Sequence, residues 1–402
     1  MQIVAEITPS ETRAAGTAVP RYTVQVARTI SEVEALRPLW TSMQWHPNSD
    51  IDFYLDVLRS RPEFLRPHVM VVHRGGRPEA MLLGRVEDRV LDLRIGYGSL
   101  VKPKVRLLAF GYGGVLGNPS AEGSEEAVRR ILGSLRAGEA DLAFFNHLRA
   151  DSPVYAQVVR LSGALTRDYF PDLRIHRSMA LPKTFGQLYA ALSPKTRKSQ
   201  RWNKFRKDFG DKIRIDSLRE TADLERVFRD VEDVARRTYQ RGLGVGFADT
   251  PEMRARLRLV AEKGWLRTFI LYVGEKPCAF WVGIKHGCTL HSDSMGYDPD
   301  YAKYSPGMFL VIRAIEDLFD HRSTENVEEI DFGLGDAEYK EALCNREWQD
   351  ASVYIFAPTL RAVGLNLLRT PTVFINQFGR KALERTQLLR RVKKAWRSRL
   401  AK

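Results

Sequence analysis

An α/β fold in two tandem copies, each a mixed sheet flanked by helices, follows from three features of the sequence. Arg74 to Val86 (RGGRPEAMLLGRV) and Val273 to Lys285 (VGEKPCAFWVGIK) share Pro-x-Ala-x-x-x-Gly in register, so Pro78, Ala80 and Gly84 answer Pro277, Ala279 and Gly283. Each stretch receives a β-rich run (HVMVVH, RTFILYV), turns through Gly and Pro, and leaves through an apolar run, which is a β-hairpin pattern. Gly-Tyr follows in both copies, at Gly96-Tyr97 and Gly296-Tyr297.

The flanks repeat in the same order. Before the first hairpin lie the strand YTVQVA and a helix whose Ser31 and Glu34 have capping-box spacing; before the second lie KIRIDS and a helix opened by Thr221. After each hairpin come a further strand, a loop, an amphipathic helix (SEEAVRRILGSL; GMFLVIRAIEDLF) and a closing strand (DLAFFNHL; VEEIDFGL). The unit is β-α-β-β-β-loop-α-β, used twice. The expected division is a loose N-terminal tail over 1–20, a first domain over 21–175, a second over 176–357, and a basic helical tail over 358–402.

Two segments stand outside the repeat. LSPKTRKSQRWNKFRKDFG reads as one helix with Ser193 as N-cap and Pro194 in its first turn, packed through Trp202, Phe205 and Phe209. Its bases suit a solvated face, contact with donor phosphates, or an acceptor site for a phosphorylated substrate. The tail after Pro358 reads as helical with a break at Thr370-Pro371, and Leu389, Val392, Trp396 and Leu400 form an apolar line among its bases.

Composition excludes several classes. An apolar share of 44% with 28% charged residues belongs to a globular protein. Three cysteines, Cys278, Cys288 and Cys344, make neither a disulfide framework nor a zinc pattern and suit a reducing, cytoplasmic setting. The N-terminus lacks an export signal, and no apolar run is long enough to span a bilayer. The net charge of +14 is uneven: from Arg380 onward ten bases face the single acid Glu384, a local +9. The body is therefore only mildly basic, which argues against nucleic acid other than a tRNA acceptor end. The basic tail fits attachment to an anionic membrane surface, and docking onto the protein's own body almost as well.

The helix start at Ser305-Pro306-Gly307-Met308 carries the donor argument. Pro306 costs no hydrogen bond in the first turn, and no acid stands at Met308 where a capping box would place one. Free amides and the positive helix end are then available to an anion, with Lys303 and Tyr304 beside them. In the first copy the equivalent start, GNPSAEGSEEA, carries Glu122, Glu125 and Glu126, which would repel a phosphate.

YSPGMFLVIRAIEDLF followed by VEEIDFGLGDAEYKEAL resembles the GNAT acyltransferase superfamily, in the duplicated branch of CelD-type cellulose-biosynthesis acyltransferases and Fem-type aminoacyltransferases. The matching features are Ser305-Pro306-Gly307, Asp331-Phe332-Gly333 with Gly335, and Glu338-Tyr339-Lys340. The resemblance implies two tandem GNAT-like domains, each with a largely antiparallel sheet, the first degenerate and the second binding acyl-CoA as co-substrate. No cofactor is expected to be held tightly. The usual Gly-x-Gly signature of the donor loop is reduced here to Gly307.

Acyl transfer to an amine needs a proton acceptor, an oxyanion donor and an acid for the leaving thiolate. His291 is the expected base, with Asp293 two residues on along the same strand face to orient it, and backbone amides of that strand as oxyanion donors. Tyr339 and Tyr304 are candidate acids. Lys340 is expected on a polar loop, holding an acceptor phosphate or carboxylate as a point charge, with Asp331, Gly335, Glu338 and Arg201 around the substrate. The eight histidines show no metal-ligand spacing, and no metal is expected.

The reading is an N-acyltransferase that uses acyl-CoA or an acyl carrier protein to acylate an amine, which the resemblance implies is an amino sugar or peptide in exopolysaccharide or cell-envelope synthesis. Its rivals are a Fem-type enzyme that takes its group from aminoacyl-tRNA and a non-catalytic module that binds a membrane or a partner.

Overall fold

The computed structural model describes residues 21–385, except Tyr97, Lys198 and Leu243 and the side chains of Lys195, Tyr239 and residues 379–385. The N-terminal stretch 1–20 and the apolar line Leu389, Val392, Trp396 and Leu400 lie outside the described residues.

Fourteen strands are described: β1 (Tyr22–Ala27), β2 (Phe64–Arg74), β3 (Arg77–Val90), β4 (Leu93–Ile95), β5 (Gly98–Val101), β6 (Lys104–Gly117), β7 (Leu142–Arg149), β8 (Asp172–Ala180), β9 (Ile213–Leu218), β10 (Leu266–Val273), β11 (Lys276–His286), β12 (Thr289–Tyr297), β13 (Glu329–Leu334) and β14 (Arg346–Phe356). Six helices position the site and its flanks: α1 (Ala121–Arg136), α2 (Gln200–Phe209), α3 (Pro251–Glu262), α4 (Pro306–Asp320), α5 (Glu338–Leu343) and α6 (Leu360–Arg385).

Twelve strands form one sheet in the order β1-β2-β3-β6-β7-β14-β8-β13-β12-β11-β10-β9, and β4-β5 is a separate hairpin. From either edge inward the pattern is the same: three antiparallel pairings, then one parallel pair, β6 with β7 and β12 with β13. The two central strands are exchanged. β8 leaves the first copy and pairs with β13, while β14 leaves the second and pairs with β7; β8 and β14 then pair with each other. The mixed, largely antiparallel α/β architecture expected from the repeat is therefore present as one continuous sheet.

The shared hairpin motif has a packing reason. Ala80 and Ala279 are fully buried. A Cβ on Gly84 would lie 2.6 Å from the His68 carbonyl oxygen, and one on Gly283 would lie 2.8 Å from a Leu290 methyl, so any side chain would force the hairpins apart.

Each parallel pairing is short, Leu107–Phe110 on Leu142–Phe145 and Thr289–His291 on Glu329–Asp331. Beyond these registers the neighbouring strands part, leaving one V-shaped opening in each copy. α4 covers the second copy, burying Phe309, Leu310, Val311, Ile312, Ala314, Ile315 and Leu318. At about 1.5–3 kcal/mol for each large apolar side chain removed from water, this face is ample to hold the helix in place. It is wider than the single face of an amphipathic helix because α2 also lies over it, with Trp202 and Phe205 against Phe309.

Three local expectations are corrected. The first helix is capped by Thr29, not Ser31: Thr29 Oγ1 accepts from the Glu32 amide (3.2 Å) and Glu32 Oε2 accepts from the Thr29 amide (2.9 Å), because Thr29 is the last residue with extended backbone. The helix expected from Ser193 is two, Pro194–Arg197 and α2, because Ser199 is extended (φ −60°, ψ 107°) and restarts the second. α6 runs through Thr370-Pro371 without ending.

Candidate active site

The register of the second parallel pair sets His291 beside Asp331, the last paired residues before the strands part. His291 Nδ1 lies 3.2 Å from Asp331 Oδ2. Asp331 Oδ1 accepts from the Gly333 amide at 2.7 Å and meets His176 Nε2 at 2.6 Å. His176, on β8, is fully buried, and its Nδ1 lies 2.7 Å from Asp350 Oδ2 on β14. Trp348 stacks on the His176 ring at 4.3 Å and donates from Nε1 to Asp350 Oδ1 at 3.1 Å. A chain Asp350–His176–Asp331–His291 thus crosses four strands, and the exchange of β8 and β14 builds it.

The charges in this chain have physical causes. Burial alone would lower the pKa of His176, but the carboxylates on either side raise it to about 9, so it is an imidazolium at neutral pH. Burial likewise pushes Asp331 up, and hydrogen bonds from His176 and His291 override it and hold the carboxyl well below the usual range. Tyr112, 3.5 Å from His176 Nε2 through its hydroxyl, is held protonated by burial and by both aspartates.

The first copy contributes His46. Its Nδ1 accepts from the Asn48 amide at 3.0 Å, and its ring meets those of His291 at 4.4 Å and Tyr112 at 4.6 Å. Burial and the neighbouring His291 keep it neutral. Gly113 (φ +79°) makes this approach possible, since a Cβ there would lie 3.1 Å from the His46 ring. FGYGGVLG, which lacks the spacing of a nucleotide-binding loop, is a bulge of β6 that delivers Tyr112 and admits His46.

Ligand atoms of His46, His291 and Asp331 lie within 4.8 Å of one another, a convergence that the sequence spacing gave no reason to expect. The donor set does not fit a metal. Neutral His46 accepts at Nδ1 and so carries its proton on Nε2, and both Asp331 oxygens already accept from histidines.

His291 is 8% exposed, and its Nε2 is buried without a hydrogen-bond partner among the described residues. Leaving such an atom unsatisfied costs about 1–3 kcal/mol, which a substrate N–H would recover. His291 and Asp331 line a cavity of about 1160 Å³ that extends into the V-shaped opening of the first copy, past Trp45, Tyr112, Asn146, Arg149 and Trp348.

Several expected residues sit elsewhere. Asp293 does not orient His291: a bulge in β12 displaces it, and its carboxylate is 2.7 Å from Arg256 of α3. Asp331 takes the orienting position instead. Lys340 is not a free charge on a loop. It is buried in α5, and its ammonium donates to the carbonyls of Phe332 (2.6 Å), Gly333 (3.2 Å) and Leu334 (2.6 Å), which uses all three of its hydrogens. Burial lowers its pKa. Tyr304 is buried and its hydroxyl donates to Asp208 at 2.7 Å, so it braces α2 rather than serving a leaving group. Tyr339 packs against Phe332, the Gly335 amide donates to the Ile175 carbonyl (3.0 Å), and Glu338 is exposed in the first turn of α5; none of the three lines the cavity.

The expected donor niche is differently furnished. At the start of α4, Ser305 is left-handed (φ 55°, ψ 53°) and no side chain caps the amides. Arg201 of α2 instead donates to Ser305 Oγ at 2.9 Å, which brings a guanidinium to the helix end beside Pro306, Gly307 and Met308. Lys303 lies over the Tyr304 ring. In the first copy the α1 start is closed by Glu79, whose Oε1 accepts from the Ser120 amide (3.3 Å) and Oε2 from the Ser120 hydroxyl (3.3 Å). An internal carboxylate holds the place of an anion there, a more direct reason than the helix's own acids. The residue matching Glu79 in the second hairpin is Cys278, neutral and buried in the core.

Residues 194–341, which contain α2, the α4 start, His291 and Asp331, match the acetyltransferase (GNAT) domain family. Among solved structures the chain is similar to FemX, at 9% identity over 74% of this chain and 90% of that one, TM-score 0.48. It is also similar to the C-terminal domain of a putative lysylphosphatidylglycerol synthetase from Agrobacterium fabrum, at 11% identity over 85% and 96%, TM-score 0.45. A GCN5-related N-acetyltransferase from Sphaerobacter thermophilus is similar at 11% identity over 84% and 96%, TM-score 0.42. No curated protein matches the chain. By that match residues 194–341 carry an acetyltransferase (GNAT) domain, and the strand order of this second half is repeated in the first.

Proposed function

We propose that this acyltransferase moves an acyl group from acyl-CoA to an amine, with His291 as the general base. The observation that carries the reading is the unpartnered, buried Nε2 of His291, a residue that lines a large cavity while its Nδ1 is held by Asp331. The donor diphosphate would lie at the uncapped start of α4 beside Arg201, and its thioester would extend along the parting of β12 and β13 toward His291.

The amine attacks the thioester carbonyl as His291 Nε2 takes its proton. The resulting imidazolium is stabilised by ionised Asp331, and His176 keeps Asp331 ionised. Backbone amides of β12 are the natural oxyanion donors. Collapse breaks the carbon–sulfur bond, and the proton on His291 passes to the departing thiolate. The amide, free coenzyme A and neutral His291 are then restored.

By resemblance the acceptor is an amino sugar or peptide of exopolysaccharide or cell-envelope synthesis, handled in the cytoplasm. The cavity volume of about 1160 Å³ and its aromatic and amide lining suit such a molecule better than a small free amine.

Thiol release from acetyl-CoA and longer acyl-CoA, measured over a panel of amino sugars and peptides, tests the reading. Charged tRNA in place of acyl-CoA forms the competing arm. Turnover with acyl-CoA that disappears in His291→Gln is the expected result. Turnover with charged tRNA alone, or no donor-dependent rise in melting temperature with any acyl-CoA, would defeat it.

A further inference from the structure

α6 lies on the first copy through Ala362, Leu365, Asn366, Arg369 and Thr372, all buried. Its opposite face should be polar in a helix that ends its packing there. Instead Leu360 (96% exposed), Leu367 (62%), Leu368 (54%), Phe374 (43%), Ile375 (46%) and Phe378 (53%) recur at helical spacing along the outer side. Asn376 ties this helix to the β4-β5 hairpin, accepting from the Gly96 amide at 2.8 Å and donating to the Arg94 carbonyl at 2.7 Å. The hairpin adds exposed Leu100 (59%) and Val101 (48%). Six large apolar side chains in one exposed stripe differ from the scattered singles that any surface carries.

We propose that this stripe is a docking face for an anionic lipid bilayer, with α6 lying in the plane of the interface. The charge around the stripe selects the occupant. No acidic residue occurs from Ala351 to Leu383, and the segment that follows the stripe, from Arg380 onward, carries a net +9. Apolar side chains on one helix side with bases at its end are the chemistry of an interfacial helix on anionic lipid. A second copy of the chain is a poorer occupant: it would set the same stripe against itself, with no acid between Ala351 and Leu383 to meet the bases that follow. The helix does not cross a membrane, since no described helix is long and apolar enough. This inference is independent of the acyl-transfer reading.

Co-sedimentation of the full chain with phosphatidylcholine vesicles, with and without phosphatidylglycerol, tests it. The expected result is partition onto the anionic vesicles, weakened by salt, and reduced at least about tenfold in a Leu368→Glu/Phe374→Glu variant whose melting temperature is unchanged. A dye on Leu367→Cys, in a Cys288→Ser/Cys344→Ser background, should shift to the blue on addition of anionic vesicles, a readout that does not depend on the glutamate variant folding. Absence of partition, partition unchanged by the glutamates, or a dye that stays water-exposed overturns the proposal. So does a dimer of the unmodified chain that the glutamates convert to monomer, because the stripe would then be covered by a second copy.

Discussion

His176 Nε2 lies 2.6 Å from Asp331 Oδ1 while its other nitrogen lies 2.7 Å from Asp350 Oδ2, so a fully buried imidazole is clamped between two carboxylates on neighbouring strands. One proton on this ring neutralises part of a buried negative pair, and it does so at the seam where the two copies exchange strands.

The first prediction concerns this clamp. The folded pKa of His176 is raised to about 9, so its stabilisation is fully present below the unfolded value of 6.5 and is lost as pH rises through about 9. The shift corresponds to roughly 3 kcal/mol. Asp331 is depressed, so its contribution is present above its ordinary value of 3.8 and lost as pH falls below that. Urea unfolding between pH 5 and 10 should show a fall at the alkaline end that His176→Gln removes. His176→Leu should cost about 3–5 kcal/mol at neutral pH, because two buried carboxylates lose their counter-charge.

Replacing the proposed base separates chemistry from folding. His291→Gln should lower kcat about 10²–10⁴-fold while leaving the KM for donor near its original value. Its melting temperature should not fall, since the orphaned nitrogen is itself a cost. Asp331→Asn should lose both activity and stability, because it also disengages His176.

At the donor niche, Arg201→Ala should raise the KM for acyl-CoA about tenfold with kcat little changed, the value of one charge-assisted hydrogen bond. The Ser305 hydroxyl loses a donor that water can replace, so the melting temperature should hold. Glu79→Gln in the first copy should leave donor kinetics unchanged.

Lys340 should behave as a structural residue. Lys340→Met leaves three carbonyls of β13 without their donor and should lower stability by about 2–4 kcal/mol. Lys340→Arg should not rescue it, because a planar guanidinium does not fit a site built for a compact ammonium. Retained stability in Lys340→Met with lost acceptor binding would instead restore the role expected from the sequence.

Much of the fold was legible because it rests on local pattern. The paired Pro-x-Ala-x-x-x-Gly motif marked both hairpins, and the α4 stripe showed which side of that helix is covered. The proposed base, His291, was named from the sequence as a histidine on the strand that leads into the α4 loop. Its partner was misassigned. Spacing of two along a strand pointed to Asp293, and the bulge in β12 turned that residue to Arg256. His176 and Asp350 carried no local sign beyond being polar residues in strands that the fold buries, and His46, just before the turn Pro47–Ser49, carried none at all.

The sequence by itself determined the repeated unit, the α/β class, the asymmetry between an acid-bearing and an acid-free helix start, and the basic end of the chain, because periodicity, turn chemistry and charge are properties of neighbouring residues. The tertiary structure alone decided the exchange of β8 and β14, the four-residue chain from Asp350 to His291, and the burial of the Lys340 ammonium. These depend on which strands lie side by side, and a strand's partner is chosen by packing over the whole sheet, which short-range sequence pattern does not encode.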